Sequence, residues 1–283
     1  LAMAARPPRR PPVAVVATMR GHAANAEVQR SCCGELMAMA DASIQAVVGA
    51  GGAETVVAAM QRHAADAEVQ RAGCGALQNM AAGDKECRQA VVDAGAAAAV
   101  VVAMLGNAAD GVLQGWGCCA LQNMAGAGDE CAQAVVGARG ALAVKKAMTG
   151  HAADGQLLRK CCGALWYMAY YGSDACVKAV LDAGGAEAVV EAMRGNAADG
   201  ELQQSGCGAL QYLAVPGLVP GMLTWEQVEV VAGWAKAVVA AMQRHAADAG
   251  VQRLGCGALQ SMAAGDEECR QAVVDAGAAA AVV

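Results

Sequence analysis

One phrase returns six times along this chain of 283 residues: Met-x-x-(His/Asn)-Ala-Ala-(Asp/Asn), then Val or Leu with Gln, then Cys-x-x-Leu. Its anchors, Met19, Met60, Met104, Met148, Met193 and Met242, are spaced 41, 44, 44, 45 and 49 residues apart. A period of that size predicts a stacked solenoid. Two copies, Met60 to Val101 and Met242 to Val283, differ at only four of 42 positions: Glu68/Gly250, Ala72/Leu254, Asn79/Ser261 and Lys85/Glu267. A catalytic triad or nucleotide pocket is assembled once from dissimilar segments, whereas an array presents one surface several times and varies it copy by copy. The repetition therefore points to binding.

Hydrophobic residues make up 57% of the chain, aromatics 3%, and Phe is absent, so the core must be Ala, Val, Leu, Met and Cys, as suits closely packed helices. In residues 66–107, Asp66 is expected to cap a helix through about Ala82 and Asp84 a second to Ala94, while Gly95 precedes a third ending near Met104. Gly52, Gly95, Gly140, Gly185 and Gly277 are expected to supply left-handed turns. By this plan the long helices fall near 25–40, 66–82, 110–125, 154–170, 199–214 and 248–264, in an array over 13–283 behind a Pro/Arg-rich lead-in at 1–12. An irregular insertion is expected at 215–224, where Pro216, Gly217, Pro220 and Gly221 replace a normal helix before a new start at Thr224. The longest apolar run, Ala94 to Leu105, is too short for a bilayer, which needs about 18 residues, so no membrane partner is expected. The first residue is not Met and the last copy stops inside its pattern, which reads as a piece of a longer protein.

Asp66-Ala-Glu-Val-Gln-Arg-Ala-Gly-Cys-Gly-Ala-Leu-Gln-Asn-Met-Ala resembles the long third helix of armadillo repeats, Glu86-Cys-Arg-Gln-Ala-Val-Val-Asp-Ala-Gly the first, and Ala97 to Met104 the second. The chain is similar to armadillo-repeat proteins over about residues 13–283, in the style of the armadillo region of leucine-rich-repeat kinases and protist arrays. The resemblance implies an all-α, right-handed α-α superhelix of about six three-helix repeats, with the third helices lining a concave groove. It also implies that a late Asn, with a Trp one turn earlier, grips an extended peptide. Here the Asn position holds Ala38, Asn79, Asn123, Tyr167, Tyr212 and Ser261, and the Trp position Gly34, Gly75, Cys119, Gly163, Gly208 and Gly257. Only Asn79 and Asn123 carry over.

Core columns should repeat, whereas surface columns are free to drift. The Leu column (36, 77, 121, 165, 210, 259) never changes, whereas five residues before it stand Ser31, Ala72, Trp116, Lys160, Ser205 and Leu254. That column and the Asn/Tyr column, seven residues apart, share a helix face. On this face Trp116, Tyr167 and Tyr212 are expected to stack about 8–10 Å apart across three repeats, with Trp166 adjoining, as anchors for a partner. Arg30, Arg71, Arg159 and Arg253 recur six before the Leu, forming either a basic strip for an acidic peptide or a solvated flank.

Chemistry is not expected. Six of the thirteen cysteines (33, 74, 118, 162, 207, 256) occupy one column, a repeat apart and so beyond the ~7 Å limit on Cα separation for a disulfide. No Cys-x-x-Cys offers a zinc site. These read as small buried thiols in a reducing, cytoplasmic setting, and no metal or cofactor is expected. His22, His63, His151 and His245 alternate with Asn107 and Asn196, as helix-end residues would. The net charge of −6 argues against nucleic acid, which is bound by neutralising phosphates. The expected function is a non-catalytic module holding a protein or peptide segment along the groove through Trp116, Tyr167, Tyr212, Trp166, Asn79, Asn123, Arg71 and Arg159. The alternatives are a rigid scaffold packed against other domains of the same chain and, more remotely, a thiol redox or metal sensor.

Overall fold

The computed structural model describes residues 10–39, 41–214, 225–265 and 267–281. Among them there is no strand. Two helices open the array, α1 (Pro12–Gly21) and α2 (Ala26–Met37). Four triplets follow: α3 (Ile44–Gly49), α4 (Gly52–Arg62) and α5 (Ala67–Ala81); α6 (Lys85–Asp93), α7 (Ala96–Gly106) and α8 (Gly111–Ala125); α9 (Asp129–Gly137), α10 (Gly140–Gly150) and α11 (Gly155–Tyr171); α12 (Asp174–Asp182), α13 (Gly185–Gly195) and α14 (Gly200–Leu213). The array closes with α15 (Trp225–Arg244), α16 (Ala249–Ala263), α17 (Glu267–Asp275) and α18 (Ala278–Ala281). Counted by their third helices α2, α5, α8, α11, α14 and α16, these are repeats 1 to 6. The third helices pack chiefly on one another, and every member of the Leu column is buried.

The recurring phrase is a set of local hydrogen-bond solutions. Asn25, Asp66, Asp110, Asp154, Asp199 and Asp248 each accept a backbone amide from the first turn of a third helix. Each such cap is worth about 1 kcal/mol. Gln29, Gln70, Gln114, Gln203 and Gln252 donate Nε2 at 2.8–3.1 Å to two carbonyls, that of the phrase Met and that of the His or Asn three residues on. Those carbonyls end the second helix and need a partner. Repeat 4 alone lacks the tie, with buried Leu158 in its place.

Glycine explains the tight stacking at one position. A Cβ on Gly73 would come within 2.6 Å of Met60, and Gly117, Gly206 and Gly255 meet Met104, Met193 and Met242 in the same way. The phrase Met and this glycine are therefore one packing unit.

Three details differ from the sequence reading. At the joints between first and second helices the left-handed residues are Gly51, Gly95, Gly184, Gly277 and the non-glycine Arg139 (φ 68°), so at three of these joints the turn falls one residue before Gly52, Gly140 and Gly185. Those three glycines instead open the next helix, where a Cβ would stand 2.8–2.9 Å from the carbonyl oxygen of Val47, Val135 or Val180. Second, α1 begins at Pro12, inside the stretch read as lead-in, because a proline at the first helical position has no amide to leave unpaired. Residues 1–9 lie outside the described residues, and Arg10 is tied to Glu35 at 2.6 Å. Third, the expected insertion at 215–224 also lies outside them, and after it α15 runs unbroken for 20 residues where repeats 2 to 5 have two helices. Gly233 and Trp234 stand where Gly51 and Gly52 do in repeat 2; without a turn there, the indole of Trp234 fits into the core, 5% exposed.

Candidate functional site

Each third helix turns one stripe outward, as α5 does with Arg71, Ala72, Gln78 and Asn79 half-buried around buried Leu77. The floor of the stripe is the Gly column, and side chains of the preceding repeat cover it: Gln122 lies over Gly163, Trp166 over Gly208 and Gln211 over Gly257. A Cβ on Gly208 would stand 2.8 Å from the Trp166 ring, whereas at Gly163 and Gly257 it would meet only the movable ends of Gln122 and Gln211, and Cys119 fills the same column in repeat 3.

On this stripe the aromatic side chains fall into two places rather than one row. Trp166 and Tyr167 meet edge to face at 6.2 Å between centroids, Tyr167 reaches Tyr171 at 5.4 Å, Tyr171 reaches Tyr170 at 4.6 Å, and Tyr170 reaches Tyr212 at 4.8 Å. This chain of five rings joins α11 to α14. Tyr170 is 50% exposed, while the indole Nε1 of Trp166 is buried without a hydrogen-bond partner. Trp116 stands apart and touches no ring among the described residues, because seven residues of helix separate its column from the Tyr column, about 10 Å along the axis. It lies against Gly75 of repeat 2 and lines a cleft of 860 Å³ with Arg71, Asp110, Val112, Asp154 and Lys160. Among the described residues Lys160 makes no ion pair, and Val112 is 54% exposed. Leu254, in the same drifting column as Trp116, is buried.

The polar residues expected to face a ligand face neighbouring repeats. Asn79 donates Nδ2 to the carbonyls of Leu36 (3.0 Å) and Met39 (3.3 Å), and Asn123 to that of Gln78 (3.3 Å). Each amide serves the end of the preceding third helix, whose last carbonyls have no partner within the helix. Arg71 holds the cap residue of the next repeat, Asp110, at 2.7 Å, and also Glu68; Arg159 pairs with Asp199 at 3.7 Å and with Glu201. Neither is an unpaired cation. Burial opposes the charge on Asp110, yet the Leu113 amide and the Arg71 guanidinium hold its carboxyl below the usual Asp range, and the bond to Asp110 raises Arg71. No ion pair joins the corresponding residues Arg30 and Asp66 of repeats 1 and 2.

At the other joints the ties are histidines. His63, His151 and His245 place Nε2 at 2.8–2.9 Å from the carbonyls of Ala23, Ala108 and Ala197 in the repeat before. Asn107 and Asn196 cap their own helices instead. Of the thirteen thiols, Cys119 and Cys256 are partly exposed and the rest buried; burial pushes Cys33, Cys162 and Cys207 up to about 12. No group of three or more His, Cys, Asp or Glu among the described residues is placed to hold a metal ion, and no single helix there is long and apolar enough to cross a membrane.

Tyr170, Tyr171, Val112 and Lys160 join the candidate surface without having been singled out in the sequence. Tyr170 and Tyr171 were detectable, since they follow Tyr167 at the i+3 and i+4 spacing of one helix face.

No protein-family model and no curated protein matches the chain. Solved structures do. An engineered protein 30% identical to it superposes with a TM-score of 0.79 over 95% of this chain and 62% of its own. A designed armadillo repeat protein, 20% identical, gives 0.70 over 89% and 99% of the two chains. Another, in complex with the peptide (KR)4, is 18% identical and gives 0.67 over 88% and 98%. With helices stacked in repeats of about 44 residues, the chain is an all-α solenoid of the armadillo-repeat fold.

Proposed function

We propose that the chain is a non-catalytic interaction module that holds an extended protein segment along the outward stripe of its third helices. The observation that carries this reading is the five-ring cluster, which stands where sister repeats have Gln, Asn and small residues and leaves Tyr170 half in water. Tyr and Trp present large, rigid, amphipathic contacts and are the commonest interface anchors. The likeness to a designed armadillo repeat protein in complex with (KR)4, and to others designed for modular peptide recognition, supports a segment as the ligand. The Trp116 cleft is a second contact point, with Lys160 free to meet an acidic side chain. Acrylamide quenching of single-Trp variants retaining Trp116 or Trp166, with and without peptides selected on the folded chain, tests this. Binding should shield Trp116 and shift Trp166 emission; peptides that bind with neither indole affected would place the ligand elsewhere.

A rigid spacer that docks against other domains of a longer chain is the second reading. It is favoured by Asn79, Asn123, Arg71 and Arg159, all of which bridge repeats. The same quenching assay with flanking domains in place of peptides separates the two.

A further inference from the structure

We propose that Cys118 and Cys161 are a latent disulfide that closes between repeats 3 and 4 when the chain meets an oxidant of the small-disulfide class. Thiols of one column lie a repeat apart, too far to pair. Cys161, however, stands one residue before that column, where Gly73, Gly117, Gly206 and Gly255 stand in four sister copies. That offset carries it across the packed surfaces of α8 and α11 to a Sγ–Sγ separation of 3.5 Å from Cys118. Both thiols are fully buried. A disulfide bond is about 2.05 Å long, so the sulfurs need approach by only about 1.5 Å. No other thiol–thiol hydrogen bond is found among the described residues.

The exchange balances without any other reagent. One thiolate of the pair attacks R–S–S–R, forming a mixed disulfide and releasing RS⁻, which is protonated to RSH. The second thiol loses its proton and attacks the mixed disulfide at the protein sulfur. A second RSH leaves, the reagent has gained two electrons, and the pair has lost two as Cys118–S–S–Cys161 forms. The hydrogen bond from Cys118 and burial hold the Cys161 thiol well above its ordinary range, so closure waits on transient separation of the two helices and speeds up as pH rises. Once formed, the bond pins the joint beside the Trp116 cleft; it does not depend on the cleft having a ligand.

The test is to treat the full chain with a low-molecular-weight disulfide at pH 8, alkylate the remaining thiols and map the peptides by mass. A peptide pair linked through Cys118 and Cys161, lighter by two hydrogens, is expected, with a Tm rise of roughly 5–10 °C reversed by dithiothreitol. Cys161→Ala should abolish that rise. Linkage through any other cysteine, adducts at Cys119 and Cys256 with no internal link, or a Tm rise that survives in Cys161→Ala would each overturn the proposal. Should that variant fail to fold, the peptide map of the unaltered chain decides alone.

Discussion

Repeats 2 and 4 share one backbone plan and keep it by different means. In repeat 2, Gln70 ties off the second helix, Gly51 takes the left-handed turn, and Gly73 lets Met60 in close. In repeat 4 the equivalent positions hold Leu158, Arg139 and Cys161. Repeat 4 also carries Trp166, Tyr167, Tyr170 and Tyr171 where repeat 2 has Gln78, Asn79, Ala82 and Gly83. The copy that has given up most of the array's regular devices is the copy with the most distinctive surface, a pattern expected where local rules yield to function. Its backbone survives because neighbours on both sides impose the geometry, as in any array stabilised by nearest-neighbour interfaces.

The sharpest way to break this contrast is Gln70→Ala, which leaves the carbonyls of Met60 and His63 without their donor. Denaturant unfolding should show a loss of about 2 kcal/mol, the usual cost of a buried group left unpaired; a loss below about 0.5 kcal/mol would mean that repeat 2 needs the tie no more than repeat 4 does. Next in size, Tyr170→Ala should weaken a groove-selected peptide at least about tenfold, as removal of an aromatic anchor does, with stability nearly unchanged. Equal affinity by calorimetry would strip repeat 4 of its special surface. Arg139→Gly should stabilise by about 1 kcal/mol, since a left-handed conformation is costly for any residue with a Cβ; no gain would show that the Arg139 side chain compensates.

The smallest expected effect is that of Arg71→Ala, about 0.5 kcal/mol, because the guanidinium is part-exposed and screened. It also carries a pH signature. The Asp110 carboxyl titrates below its unfolded value, so its contribution is present at neutral pH and is lost as pH falls through that lowered value. In Arg71→Ala, acid unfolding should be less steep in this range; an unchanged profile would assign the lowered pKa to the backbone amides of Leu113 and Val112.

The fold was legible in the sequence because each repeat states its own boundaries: the cap acids, the Gln tie and the invariant Leu lie within one copy. What the sequence hid lies between copies. Asn79 and Arg71 read as ligand-facing because their helix face was right, yet helical spacing cannot show that the next repeat approaches closely enough to take up their hydrogen bonds. Trp116 and Tyr167 shared a face but not a height on it. The Cys118–Cys161 contact crosses two columns, whereas the repeat pattern aligns thiols only within one.

The histidine and arginine ties alternate along the solenoid. Repeats 1 and 2, 3 and 4, and 5 and 6 are joined by an imidazole on a carbonyl, whereas the joints between 2 and 3 and between 4 and 5 carry Arg–Asp pairs. A hydrogen bond to a backbone carbonyl depends little on dissolved ions, but a part-exposed ion pair weakens as ionic strength rises. Added salt should therefore weaken every second joint, by no more than about 0.5 kcal/mol each, and leave the histidine joints unchanged.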